Sequence, residues 1–157
     1  MRTDLITRVG FNKLRDELDN LWKIERPATT KKVAWAASLG DRSENADYQY
    51  NKKRLREIDW RVRYLRKRLE ALKIVDYSDT QEGKAYFGAW LEIINDADET
   101  KTFRIVGYDE IFGRSDYISI DSPMARACLG RSVDDEITLT IESGIHTWII
   151  TKVYYKP

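Results

Sequence analysis

Cysteine, histidine and long apolar runs are scarce in this chain of 157 residues. The one cysteine, Cys128, cannot form an internal disulfide, which favours a reducing cytoplasm as the place where the protein works. With one histidine, His146, the chain also lacks the ligands of a Cys/His zinc site, although metals that prefer oxygen ligands are not excluded. No stretch is apolar enough to span a membrane, and residues 1–5 lack the apolar core of a secretion signal. These absences predict a soluble cytoplasmic protein that does not bind membranes.

Charge is distributed unevenly along the chain, although the net formal charge is only +1. Residues 1–78 contain 19 basic and 12 acidic residues, whereas residues 79–157 contain 8 basic and 14 acidic ones. The two halves therefore present opposite fields to partners, and the basic half indicates a polyanion. The acidic half indicates either a basic protein surface or a merely solvated one.

Two segments of the basic half have the apolar period of helices. In the first, from about residue 8 to 39, one face carries Phe11, Leu14, Leu18 and Leu21 and, in the same register, Ala28, Trp35 and Leu39. In the second, steps of three and four continue as a heptad seam through Leu55, Ile58, Val62, Leu65, Leu69 and Leu72. Pro27 predicts a kink or local break in the first helix, and Gly40 predicts its end. The pattern indicates an antiparallel helical hairpin with coiled-coil packing.

In the acidic half the apolar period changes to that of strands. Segments rich in β-branched and aromatic residues predict strands at residues 86–94, 102–108, 117–120, 137–141 and 147–155. A hairpin turn is expected at residues 95–98, which read NDAD, and another at residues 143–144, which read SG.

One short helix is expected among these strands, with Ser122 as its N-cap, Pro123 as its first residue and Gly130 as its stop. The sequence therefore predicts an α+β protein. A coiled-coil hairpin occupies residues 1–78, and a small antiparallel-sheet domain with one short helix occupies residues 79–157.

The turn between the two predicted helices is rich in carboxylates. Residues 40–48 read GDRSENADY, and Asp41 and Glu44 can project on the same side if the turn leads straight into the second helix. Two such carboxylates can share a hard cation such as Mg²⁺, or one can orient or deprotonate a water, but alone they make an incomplete metal site. The alternative is that both stabilise the start of the second helix through its dipole, with Ser43 or Asp41 as the N-cap.

A dense basic run follows in the second predicted helix. Residues 52–73 contain ten basic and three acidic side chains, and the aromatic residues in and just before this run are Tyr48, Tyr50, Trp60 and Tyr64. Such a stripe can follow a phosphate backbone and stack on unpaired bases. A solvated coiled-coil face explains the same pattern equally well, so both interpretations stay open.

Several of these motifs resemble the bacterial transcript cleavage factors of the GreA/GreB family. The resemblance rests on residues 25–27 (ERP), the turn at residues 40–48 and residues 120–127 (IDSPMARA), while Arg42, residues 48–59 and residues 107–113 (GYDEIFG) are similar to the GreB branch. It spans essentially the whole chain. Residues 137–150 match least, and Trp60 stands where a basic residue is expected of GreB. The resemblance implies an FKBP-like sheet domain after the hairpin, but no prolyl isomerase activity, since a fold does not carry a function.

The resemblance further implies a transcription elongation factor that is not itself an enzyme. In this family the coiled coil enters the secondary channel of RNA polymerase and stimulates the polymerase's own Mg²⁺-dependent cleavage of backtracked nascent RNA, which rescues arrested complexes. Asp41 and Glu44 match the acidic tip, which helps to hold the second Mg²⁺ and to position the attacking water. The implied state is a monomer that meets the polymerase and the RNA 3′ end, shares Mg²⁺ with the polymerase and binds no cofactor tightly alone.

Other positions match regions of the family with further roles. The tip would be shaped by Ser43, Asn45 and Asp47. The loop that docks on the polymerase would comprise Asp121, Ser122 and Pro123. A basic patch that holds the extruded RNA would comprise Lys52, Lys53, Arg54, Arg56, Arg61 and Arg63. Two alternatives remain: a secondary-channel regulator that leaves RNA uncut, and a general DNA- or RNA-binding protein that uses the basic stripe.

Overall fold

The computed structural model describes residues 2–156, and the chain forms two compact units. The hairpin unit is Phe11–Leu72, and the sheet unit combines the start of the chain up to Gly10 with the chain from Lys73 onward. The sheet unit includes both of these segments because strand β1 (Leu5–Ile6) pairs in parallel with strand β2 (Lys73–Ile74). This division differs from a boundary at residue 78, since two-residue strands are too short to show an apolar alternation.

The hairpin unit contains the helices that the periodicity predicts. Its elements are α1 (Arg8–Asn20), whose first three residues belong to the sheet unit, a π-helical turn (Leu21–Glu25), α2 (Arg26–Ser38) and α3 (Ala46–Ala71). The predicted seam of α3 is largely buried, with Ile58 and Leu65 fully enclosed. Gly40 follows α2 with a φ of 122°, a conformation that glycine adopts at little cost and that ends the helix where the sequence predicted.

The irregularity predicted near Pro27 is present and takes the form of the π-helical turn. The Arg26 N–H donates to the Leu21 carbonyl, five residues back, and the next residue, Pro27, has no N–H to donate. A π-helical turn accommodates one more residue than an α-helical turn, so the buried face after it moves forward by one position.

This shift overturns the expected core of the second half of the first arm. Thr29 and Ala36 are buried, whereas the predicted core residues Ala28, Trp35 and Leu39 are exposed. Trp35 is 56% exposed. An uninterrupted helical period was therefore the wrong assumption for this arm.

The shifted register distinguishes two neighbouring residues experimentally. Trp35→Gln is expected to change the free energy of unfolding by less than about 0.5 kcal/mol, as is usual at exposed positions. Ala36→Gln is expected to cost about 2 kcal/mol or more, because Ala36 is fully buried and a longer polar side chain must displace its neighbours. Urea unfolding of both variants measures the difference. A larger loss of stability in Trp35→Gln than in Ala36→Gln would show that the helical register continues without a shift.

The sheet unit contains a five-stranded sheet with the order β5-β4-β3-β7-β6. Its strands are β3 (Trp90–Ile94), β4 (Thr100–Val106), β5 (Tyr117–Ser119), β6 (Glu136–Ile141) and β7 (Gly144–Tyr154). Three of the four neighbouring pairs are antiparallel, and β4 pairs with β5 in parallel. The connection between β4 and β5 includes a 3₁₀ turn (Tyr108–Glu110) and carries the chain back to start β5 in the same direction.

The predicted short helix is α4 (Pro123–Cys128), and the Ser122 hydroxyl caps it by accepting a hydrogen bond from the Ala125 N–H at 3.3 Å. Ala125 and Cys128 pack against the buried face of the sheet, formed by Leu91, Ile93, Phe103, Ile105, Ile137, Trp148 and Ile150. The predicted fold class is confirmed: a helical hairpin and a small, mainly antiparallel sheet domain with one short helix. Within residues 2–156 no helix is both long enough and apolar enough to cross a membrane.

Candidate functional site

The turn between α2 and α3 carries the two carboxylates that the sequence singled out. Asp41 Oδ1 accepts hydrogen bonds from the backbone N–H and the hydroxyl of Ser43, at 3.0 and 2.8 Å. These two bonds form a local aspartate turn and hold the carboxylate in one orientation. Asp41 and Glu44 are exposed, and within residues 2–156 neither Asp41 Oδ2 nor the Glu44 carboxylate has a hydrogen-bond partner.

Helix α3 is capped by Asn45, so the alternative with Ser43 or Asp41 as its N-cap is wrong. Asn45 Oδ1 accepts a hydrogen bond from the Tyr48 N–H at 3.1 Å, and α3 begins at the next residue, Ala46. Asp47 lies in the first helical turn, where its charge is favourable for the helix dipole. Asp41 therefore does not cap this helix, which leaves its second oxygen available to a partner.

The donor atoms of the turn fit a shared Mg²⁺ but not a complete site. Carboxylate oxygens are the ligands that Mg²⁺ prefers, yet this ion takes about six ligands in octahedral geometry. No group of three or more His, Cys, Asp or Glu side chains suited to a metal occurs in the described part of the chain. A Mg²⁺ held by Asp41 and Glu44 would need further ligands from a partner.

The single cysteine and histidine lie elsewhere. Burial raises the pKa of the Cys128 thiol to about 12, so this residue is not a nucleophile at neutral pH. His146 Nε2 lies 2.8 Å from the Ser143 hydroxyl, in the turn between β6 and β7. Neither residue lies in the turn between α2 and α3.

Two of the six basic residues predicted to hold RNA are engaged within the hairpin. Arg61 donates to both carboxylate oxygens of Glu17, at 2.6 and 2.9 Å, and Arg54 donates to Glu25 at 3.1 Å. These pairs connect α3 with the first arm and help to fix the register of the two arms. Pattern reasoning missed them because the partners are 44 and 29 residues apart in the chain.

The other four basic residues are available to a partner. Among residues 2–156 no ion pair involves Lys52, Lys53, Arg56 or Arg63. Lys53, Arg56 and Arg63 lie on the face of α3 opposite its seam, at steps of three and seven residues, together with Trp60. The Arg63 guanidinium lies 5.5 Å from the centre of the Trp60 ring, which is 69% exposed. This outward face combines cations with an accessible aromatic ring.

The predicted docking residues lie together at the start of α4. Asp121 Oδ2 accepts a hydrogen bond from the Thr3 N–H at 2.7 Å, and the Thr3 hydroxyl donates to the other oxygen. Partial burial acts to raise the pKa of Asp121, but the hydrogen bonds from Thr3 outweigh it and the pKa lies below its usual value. Asp121 and Ser122 thus shape the loop, while Pro123 is exposed at its surface.

Glu110 has a structural role that the sequence analysis did not predict, although the residue lies in the GYDEIFG motif at residues 107–113. The Glu110 carboxylate accepts hydrogen bonds from the Gly107 N–H at 3.0 Å, from the Thr7 N–H at 3.1 Å and from the Thr7 hydroxyl. Thr7 in turn caps α1 by accepting a hydrogen bond from the Gly10 N–H at 3.1 Å. Within the sheet unit, Glu110 therefore joins the first segment of the chain to residue Gly107.

Family models match both parts of the chain. Residues 4–74 match the N-terminal part of the transcription elongation factors GreA and GreB, and residues 80–155 match the C-terminal part. The chain is 64% identical over 155 residues to transcription elongation factor GreB of Pseudomonas putida, covering 99% of this chain and 96% of the relative. It is 62% identical over 157 residues to GreB of Vibrio cholerae, covering 99% and 98%. The chain is also similar to a solved structure of the transcription factor Gfh1, at 20% sequence identity and a TM-score of 0.46. This match covers 98% of this chain and 99% of the Gfh1 chain.

Proposed function

Because the chain belongs to the GreA/GreB family of transcription elongation factors, we propose that it binds RNA polymerase and stimulates the polymerase's cleavage of backtracked nascent RNA. The observation that carries this proposal is the pair of exposed carboxylates, Asp41 and Glu44, in the turn that joins the two arms of the hairpin. Three of their four oxygens take no part in holding the turn together. Their exposure and lack of a role in the turn support an action on a partner rather than on their own fold.

The chemistry follows from the incomplete ligand set. A Mg²⁺ shared with the polymerase would stabilise the negative charge that develops on the scissile phosphate. Asp41 and Glu44 would supply oxygen ligands to that ion, and either could accept the proton of the attacking water. The water oxygen would bond to the phosphorus as the bond to the RNA 3′ oxygen breaks. The 3′ oxygen takes up a proton and becomes the new 3′ hydroxyl, and the released fragment keeps the phosphate at its 5′ end. Ser43 contributes by holding the Asp41 carboxylate in a fixed orientation, which lowers the entropy lost on engagement. The polymerase is the catalyst, so the chain alone is not an enzyme.

The remaining surfaces complete the proposed complex. The hairpin enters the secondary channel, the loop of Asp121, Ser122 and Pro123 docks on the polymerase, and the outward basic face of α3 holds the extruded RNA. Lys52, Lys53, Arg56 and Arg63 are the residues proposed to contact phosphates. The chain acts as a monomer in the bacterial cytoplasm.

The proposal is tested with a stalled, backtracked polymerase complex that carries 3′-labelled RNA, in the presence of Mg²⁺. Addition of the protein is expected to release short labelled fragments faster than the polymerase does alone. Binding without release would instead indicate a channel regulator that leaves RNA uncut. Tight binding to free RNA or DNA that is indifferent to Pro123→Ala and requires no polymerase would indicate a general nucleic-acid-binding protein.

The basic residues that form ion pairs within the hairpin and those that do not are expected to differ in their contribution to RNA binding. Replacing Lys53, Arg56 and Arg63 by alanine is expected to weaken binding of single-stranded RNA and to flatten its salt dependence by up to about two units of slope, without changing hairpin stability much. Replacing Arg54 and Arg61 is expected to cost about 0.2–1 kcal/mol of stability for each pair lost.

RNA titrations at several salt concentrations, combined with thermal unfolding, separate these effects. The paired residues serve as the matched control, since they carry the same charge on the same helix. Equal losses of RNA affinity in both sets of variants would contradict the division.

A further inference from the structure

We propose that Asn45 is the positioning residue of the acidic tip, because its side-chain amide joins the two arms of the hairpin on either side of the turn that carries Asp41 and Glu44. This inference rests on the proposed function and adds to it the group that sets the geometry of the reacting carboxylates. Asn45 acts through the turn and does not itself touch the RNA or the metal.

The two ends of the Asn45 amide bind different arms. Its Nδ2 donates to the Ala36 carbonyl, in the last turn of α2, at 2.6 Å. Its Oδ1 accepts from the Tyr48 N–H, in the first turn of α3, at 3.1 Å. The orientation of the amide follows from these partners, since a carbonyl can only accept and a backbone N–H can only donate.

The bond to Ala36 closes a loop that contains both carboxylates. Asp41 and Glu44 lie between residues 36 and 45, so the bond restricts the positions that both can occupy. Within residues 39–47, Asn45 has the one side chain that bonds to both α2 and α3. Gln49 also braces the turn, by donating to the Arg42 carbonyl at 2.9 Å, but that bond does not reach α2.

Asparagine has an N–H donor and a carbonyl acceptor side by side on the amide of a short side chain, and no other residue of that length has both. Asn45→Asp keeps the acceptor and remains a good N-cap, but it places a carboxylate oxygen against the Ala36 carbonyl. Asn45→Ser also keeps a good cap, adds no charge and lacks a donor that reaches as far. Both variants therefore retain the start of α3 and remove the bond between the arms.

The cleavage assay separates positioning from capping. With saturating protein, both variants are expected to lower the maximal cleavage rate at least about 10-fold, since small misplacements of reacting groups cost factors of this size. The protein concentration that gives half the maximal rate is expected to change less than about twofold, and the Mg²⁺ concentration required is expected to rise. Asn95→Asp is the matched control, because it makes the same change of amide to carboxylate in the turn between β3 and β4, where Oδ1 still accepts from the Ala97 and Glu99 N–H groups. It should behave like the unaltered protein.

A measurement without polymerase keeps this inference separate from the proposed function. Backbone order parameters of residues 41–44 are expected to fall from about 0.85 to below about 0.6 in both Asn45 variants, but not in Asn95→Asp. Unchanged order parameters in both variants, or maximal rates equal to that of the unaltered protein, would overturn the role of Asn45. Failure of the unaltered protein to release RNA would overturn the proposed function alone.

Discussion

Asp41→Asn combined with Glu44→Gln is expected to lower the maximal rate of stimulated cleavage by about 100-fold or more, the loss typical of removing a preorganised electrostatic group. Both substitutions remove negative charge and metal affinity while they keep the size of the side chain. The asparagine at position 41 still offers Oδ1 to the N–H and hydroxyl of Ser43, so the turn should keep its shape. Affinity for RNA polymerase is therefore expected to change little.

The measurement uses the backtracked complex with 3′-labelled RNA, together with direct binding of each variant to the polymerase. Asp47→Asn is the matched control. It also removes a carboxylate close to the turn between α2 and α3, but this carboxylate belongs to the first helical turn of α3. It should cost about 0.3–1 kcal/mol through the helix dipole and leave the cleavage rate nearly unchanged. Normal cleavage by the double variant would refute the role given to the acidic tip.

How far the hairpin could be predicted depended on local regularity. The seam of α3 keeps one period from Leu55 to Leu72, so its buried face could be identified from spacing alone. In the first arm, Pro27 indicated where the helix would be disturbed but not that a π-helical turn would add one residue. That choice depends on which residues pack across the hairpin, such as Ala36, and no local pattern contains this information.

The candidate site shows the same limit. The carboxylates Asp41 and Glu44 could be located because glycine and acidic residues concentrate in one turn. The residue that caps α3 could not be identified, since Ser43 and Asp41 are also good caps and only the three-dimensional path of the turn selects Asn45. The ion pair of Arg61 with Glu17 was equally hidden, because it joins residues that are distant in sequence.

Gly107→Ala is expected to destabilise the sheet unit by about 3 kcal/mol, at the upper end of the usual cost of forcing extra volume into a packed site. A Cβ atom at this position would lie 2.1 Å from the Leu5 carbonyl oxygen, a contact that no side-chain rotation relieves. The start of the chain would have to move, which would weaken the pairing of β1 with β2 and the hydrogen bonds between Thr7 and Glu110. Thermal and urea unfolding measure the loss.

Gly10→Ala is the informative comparison, because its clash is with a side chain. A Cβ atom there would lie 2.3 Å from Glu110 Oε1, and the carboxylate can move away at the expense of its hydrogen bonds to Thr7 and Gly107. Alanine inside a helix also recovers up to about 1 kcal/mol relative to glycine, so the net cost should be smaller than at Gly107. Glu110→Ala should remove most of the cost of Gly10→Ala but little of the cost of Gly107→Ala. If both substitutions lowered the free energy of unfolding equally, and Glu110→Ala changed neither loss, contact with the Leu5 carbonyl would not be what excludes a side chain at Gly107.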